Sequence, residues 1–171
     1  MKQKFLILLS TFFLFTNFSV DAQISKKRKA NKDTENWRYE SQCNGEGVQG
    51  TYTLKVWSYS KKPIVAIEQA KKNAVHAVVF QGISGAKCTT KGPLLRDPIL
   101  DDRKKDFFKA FFKTGGDYLK FAPNSTDASG PEVLKLSRKE YKIGVNVQVN
   151  VALLRKHLEK SGIILGLGSR F

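Results

Sequence analysis

The chain has 171 residues and a formal net charge of +15, with 30 Lys and Arg against 15 Asp and Glu. That length holds one domain with a real hydrophobic core. Two cysteines and two widely separated histidines give no support to a zinc site of the usual ligand spacing. So basic a chain seeks polyanions or an acidic partner, although charge alone speaks to solubility and association and names no ligand.

At the N-terminus, Lys2 and Lys4 precede an almost wholly apolar run from Phe5 to Phe15. Val20-Asp21-Ala22 then places small residues where a signal peptidase cuts, with Gln23 as the first mature residue. The apolar run is shorter than the roughly 20 residues that span a bilayer, and polar Thr16, Asn17 and Ser19 follow it. Residues 1–22 are read as a cleavable signal peptide, and the protein as exported to the periplasm or the outer membrane. The first cysteine is Cys43, so a lipid anchor at the cleavage point is not expected. The mature chain keeps 149 residues and a charge of +14. Outside the cytoplasm such a charge meets anionic lipid head groups, lipopolysaccharide, acidic wall polymers or an acidic protein surface; nucleic acid is not expected there.

Residues 23–36 read as a basic flexible arm. Its Lys26, Lys27, Arg28 and Lys29 are candidate contacts for an anionic polymer or membrane surface, against the plainer reading of a solvated tail. A single α+β domain is expected over 37–171. Trp37, Tyr39 and Ser41 alternate with charged or polar residues, and Cys43 to Gly47 is rich in turn formers. From Gly50 to Ser60 apolar residues stand two apart, which predicts a strand. Tyr52, Leu54 and Val56 take one face and Thr51, Thr53, Lys55 and Trp57 the other. Trp57 is either an exposed interaction anchor or packed under a neighbouring loop or helix.

Pro63 suits a first helical turn. Ile64, Ile67, Ala70, Ala74, Ala77 and Val78 then recur at helical steps as far as Gly82, with Glu68, Lys71, Lys72 and Asn73 expected to face out. His76 lacks ligand partners at metal spacing and reads as a surface or boundary residue. Residues 82–98 are irregular, and Gly82 and Gly85 lack the Lys-Ser/Thr of a phosphate loop. The segment carries Cys88. In an oxidising compartment Cys43 and Cys88 pair as a disulfide, worth about 4 kcal/mol for so long a loop; the alternative is two separate buried thiols.

Asp101 and Asp102 begin a helix predicted over 103–114. Its Phe107, Phe108, Phe111 and Phe112 share one face, first as a core stripe and second as a contact for a partner or lipid. Asp97, Asp101, Asp102 and Asp106 are better explained by the helix start than as an acid–base set. No nucleophile–base pair accompanies them, so no enzyme, catalytic residue, cofactor or metal is expected. A short strand is predicted at Asp117 to Ala122, a polar loop at Pro123 to Pro131, and another strand at Val133 to Leu136.

The clearest pattern comes last. Tyr141, Ile143, Val145, Val147, Val149 and Val151 alternate with polar or small residues, predicting a long strand. Leu153, Leu154 and Leu158 then fall at helical spacing, with Asn150 as N-cap and Gly162 as the stop. Ile163 to Leu165 is either a last short strand or a packed tail. The order predicts an α+β two-layer sandwich: a small, largely antiparallel sheet with two to three helices on one face and a second face that is wet or docks to something.

The first strand, the helix from Pro63 with Lys71-Lys72-Asn73-Ala74, and the late strand from Tyr141 to Val147 together resemble the N-terminal domain of flagellar assembly protein T. They are also similar to the small Gram-negative envelope lipoproteins of that superfamily. The likeness spans about two-thirds of the mature chain. The chain departs from the pattern in lacking a lipidation cysteine and in having a cysteine pair, a Phe-rich helix and a basic arm. The resemblance implies a non-enzymatic part of an envelope assembly and transfers no site residues. Two functions are therefore expected in competition. One is an accessory or structural component of a secretion or motility machine, with an envelope protein as partner. The other is a cationic binding module for an anionic envelope polymer or lipid. No small-molecule substrate is implied.

Overall fold

A computed structural model describes residues 37–60, 63–97, 99–124, 130–138 and 140–166. The expected signal peptide and the basic arm with Lys26, Lys27, Arg28 and Lys29 lie outside the described residues, as does the end of the chain after Gly166.

The elements run in the order β1 (Tyr39–Glu46), β2 (Thr51–Ser60), α1 (Pro63–Phe80), α2 (Asp102–Phe111), β3 (Glu132–Ser137), β4 (Glu140–Asn150) and α3 (Val151–Lys160), with short 3-10 turns at Val48–Gly50 and Asp117–Lys120. The four strands form one antiparallel sheet ordered β1-β2-β4-β3. This is the expected α+β architecture. The turn-rich stretch near Cys43 belongs to β1, which passes through it with a register shift between Cys43 and Gly45.

The alternation in β2 and β4 becomes a two-faced sheet. Tyr52, Leu54 and Val56 on β2 stand opposite Val149, Val147 and Val145 on β4, and all six are buried. α1 lies across these two strands, and Ala70, Ala74 and Ala77 bring its backbone close. Asn73 shares this stripe and is 3 % exposed, donating to Ser58 Oγ at 2.9 Å. Lys72 is 8 % exposed, with its ammonium 5.3 Å from the Trp37 ring centre. Both were expected to face out. The helix is covered on more than its sheet side, and polarity misled: Asn73 meets a hydroxyl on the sheet, and Lys72 lies along an aromatic ring.

α2 starts where the aspartates require. Asp101 Oδ1 accepts from the Lys104 N–H at 2.8 Å, satisfying one open donor of the first turn. At the junction of β4 and α3, Asn150 Oδ1 accepts from the Leu153 N–H at 2.9 Å. The segment after α2 is not the expected strand. Tyr118 and Phe121, three apart, are buried at 5 % and 2 %, and the Phe121 N–H closes on the Tyr118 carbonyl at 3.1 Å. A short apolar run does not by itself separate period 2 from period 3. Ile163 to Leu165 is a packed tail, with Ile163 buried.

Cys43 and Cys88 are joined, with their Cα atoms 6.0 Å apart. The bridge lays the 83–91 segment along the outer side of β1, where the Cys43 N–H also donates to the Ser84 carbonyl at 2.8 Å. Gly85 permits this approach, because a Cβ there would collide with the Cys43 carbonyl oxygen. Reducing the bridge, or replacing both cysteines (Cys43→Ser with Cys88→Ser), is expected to remove about 4 kcal/mol of stability, measured by urea unfolding. A loss below about 1 kcal/mol would instead mean that the backbone bonds alone hold the segment.

Candidate functional site: the open sheet face and its uncovered edge

The face of the sheet opposite the helices carries a lattice of cations, carboxylates and rings. Arg38 pairs with Glu140 at 2.7 Å and lies 4.2 Å from the Tyr59 ring centre. The Tyr59 hydroxyl donates to Glu40 Oε1 at 2.6 Å, and Lys142 donates to both Glu40 oxygens at 2.8 and 3.0 Å. Lys55 pairs with Glu132. The hydrogen bond from Lys142, and then that from Tyr59, holds the Glu40 carboxyl below its usual range, and the same Glu40 contact raises Lys142.

Trp57 is neither buried under a loop nor a free anchor. It pairs across the strands with Gly144, and a Cβ at Gly144 would lie 2.8 Å from its ring, so the indole lies over the glycine. Lys55 and Lys142 stand 4.8 and 5.3 Å from the ring centre. Three cations and three carboxylates thus cancel on this face, and solvent screening leaves its exposed pairs weak. The positive excess of the chain is not concentrated here.

The aromatic helix is a core element. Phe108, Phe111 and Phe112 are 6 %, 3 % and 5 % exposed, and only Phe107 is half-buried. Phe108 meets Phe80 of α1 at 4.9 Å, and Phe111 and Phe121 stack at 5.9 Å. Three of the four phenylalanines are therefore unavailable as a surface, because α2 has to roof the end of α1.

His76 is a boundary residue enclosed by rings. Trp37 stacks on it at 3.6 Å, Phe80 lies at 4.6 Å, and the Tyr39 hydroxyl is 2.7 Å from Nδ1. Burial, with some repulsion from Lys72, pushes its pKa down to about 3. Burial raises the Tyr39 phenol. Among the described residues no group of three His, Cys, Asp or Glu side chains is placed to hold a metal ion, and no helix is long and apolar enough to cross a membrane.

The two sheet edges differ. β1 is flanked at Cys43 by the disulfide-bound segment, through the bridge and the Cys43 N–H bond to the Ser84 carbonyl. β3 is the other edge, and all six of its residues are exposed. Val133, Leu134 and Leu136 are 45 %, 46 % and 50 % exposed. From Glu132 to Leu136 no backbone bond reaches any described element except β4. The register puts Val133 on the side of Ile143 and Leu134 on the side of Lys142, so the apolar residues fall on both faces. Sequence reasoning placed this strand but missed its exposure; two adjacent apolar residues, Val133 and Leu134, were the only signal that neither face is consistently buried.

The His76 environment makes stability depend on pH. Its folded pKa is depressed, so between pH 6.5 and about 3 the unfolded chain binds the extra proton. Stability should therefore fall as pH drops through that window, by up to about 1.4 kcal/mol per pH unit from this residue. His76→Phe should flatten the slope in urea unfolding, and a His76 ring found by NMR to titrate near 6.5 would contradict the reading.

No protein-family model, no curated protein and no solved structure matches this chain.

Proposed function

We propose that this is a non-enzymatic exported protein serving as an accessory or structural component of a periplasmic or outer-membrane assembly, such as a secretion or motility machine. A strand supplied by an envelope protein partner extends the sheet at β3. The observation that carries the reading is the asymmetry of the edges: a disulfide-bound segment is pinned to β1 at Cys43, while β3 has no such neighbour among the described residues and presents Val133, Leu134 and Leu136 to solvent. Uncovered apolar edges invite pairing with another chain, and folded proteins ordinarily block them. Strand addition uses that pairing for recognition, with backbone bonds for affinity and alternate side chains for specificity.

The disulfide fits an oxidising compartment. The internal charge balance of the open face favours a protein partner over a polyanion at the sheet. The order of strand, Ala-striped helix and late alternating strand, a pattern that resembles envelope-assembly proteins, points the same way.

Mild crosslinking in the native envelope, followed by recovery at low and high salt, tests the reading. A stoichiometric protein partner should persist at high salt and fall at least about tenfold with Leu134→Lys plus Leu136→Lys, exposed changes that alter stability by only about 0.5 kcal/mol each. Recovery of only anionic glycan or lipid, lost as salt rises, would sink the reading and leave the cationic binding module.

A further inference from the structure

On the helix side, away from β3, a cleft of about 310 Å³ lies between the segment after the disulfide and the tail after α3. That volume sits at the small end of ligand-binding clefts. Both walls are anchored. The Leu94 and Leu95 N–H groups donate to the Val78 and Val79 carbonyls at 3.2 and 3.0 Å, fixing one wall to the end of α1. The Ile163 N–H donates to the Leu158 carbonyl at 2.9 Å, fixing the other to α3. Arg103 donates to the Ser161 and Gly162 carbonyls at 3.0 and 2.9 Å, clamping the start of α2 against the end of α3.

Leu94, Leu95, Ile163 and Ile164 give the cleft an apolar wall, and Arg96, Lys104 and Arg155 line it with positive charge. Asp97 is the carboxylate in the described lining, and its Oδ1 already accepts from the Ile99 N–H at 2.9 Å. Lys104 is ion-paired with Asp101 at 3.2 Å, which leaves its remaining ammonium donors for a second anion. Arg155 is less committed. Its nearest carboxylate, Glu159, stands at 3.6 Å, beyond hydrogen-bonding distance. With Arg before Glu, the pair also runs in the weaker direction along the helix. The guanidinium keeps a planar fork of donors that matches a carboxylate.

We infer that this cleft binds a small amphiphilic carboxylate, with the anionic head on Arg155 and Lys104 and a medium-length apolar chain against Leu94, Leu95, Ile163 and Ile164. The inference is independent of the β3 edge. Charge complementarity selects the head, and the volume limits the tail to a medium-length chain.

Titration of the protein with decanoate below its micelle concentration, by calorimetry and amide NMR, tests it. Decanoate should bind saturably at one site, with shifts at Leu94, Leu95, Ile163 and Ile164. Arg155→Gln and Ile164→Asp should each weaken binding at least about tenfold, and decanol and decyltrimethylammonium should bind at least about tenfold more weakly than decanoate; tenfold corresponds to about 1.4 kcal/mol. Arg155→Lys should retain part of the affinity. Decanol binding as tightly as decanoate, unchanged affinity in both weakening variants, or no saturable decanoate binding at millimolar concentration would overturn the inference.

Discussion

Antiparallel pairs in unbroken register join β2 to β4, from Thr51 with Asn150 to Ser60 with Tyr141. Every other part of the fold is placed by that ladder. Its buried side, with Leu54, Val56, Ile143, Val145 and Val147, is the surface on which α1 rests. Its open side sets Trp57 on Gly144 and brings Glu40, Lys142 and Tyr59 within bonding distance. A slip of one residue would turn the valines to solvent and the lysines inward, so the alternation fixes register as well as location.

The outer strands have opposite environments. On β1 a covalent bridge and a backbone bond, both at Cys43, hold the 83–91 segment against the edge. On β3 the outer edge has no partner strand among the described residues, and its apolar side chains lie on both faces. The open face between them is self-compensating: Arg38 with Glu140, Lys142 with Glu40, and Lys55 with Glu132. Such a face stays solvated without attracting polyanions strongly, which directs attention to the edge and to the cleft beside Arg155.

Much of this architecture was legible in the residues. The change from period 2 to helical spacing at Asn150, the Ala stripe of α1 and the Asp101 start of α2 are local signals, and local physics decides them. What failed depended on distant partners. Asn73 looks solvent-facing until Ser58 is brought beneath it, and Lys72 until Trp37 folds over it. Tyr118 and Phe121 form a tight turn because the chain there is tied to the end of β4, through the Asn150 N–H donating to the Phe121 carbonyl at 2.9 Å. The ion-pair lattice and the cleft arise only after strands and helices from separate parts of the chain converge.

The ladder also bears on how the chain reaches this state. Its paired residues are separated by 81 to 99 positions along the sequence, so closing it requires nearly the whole chain. Contacts of such long range slow folding, because a large loop must be closed before they form. Cys43 and Cys88 both precede β4, so a chain emerging N-terminus first can make its bridge before the central sheet exists. Until β4 arrives, the valine-facing side of β2 has no partner strand. An escort that shields β2 during this interval would therefore act on assembly speed and yield, while leaving the final fold unchanged.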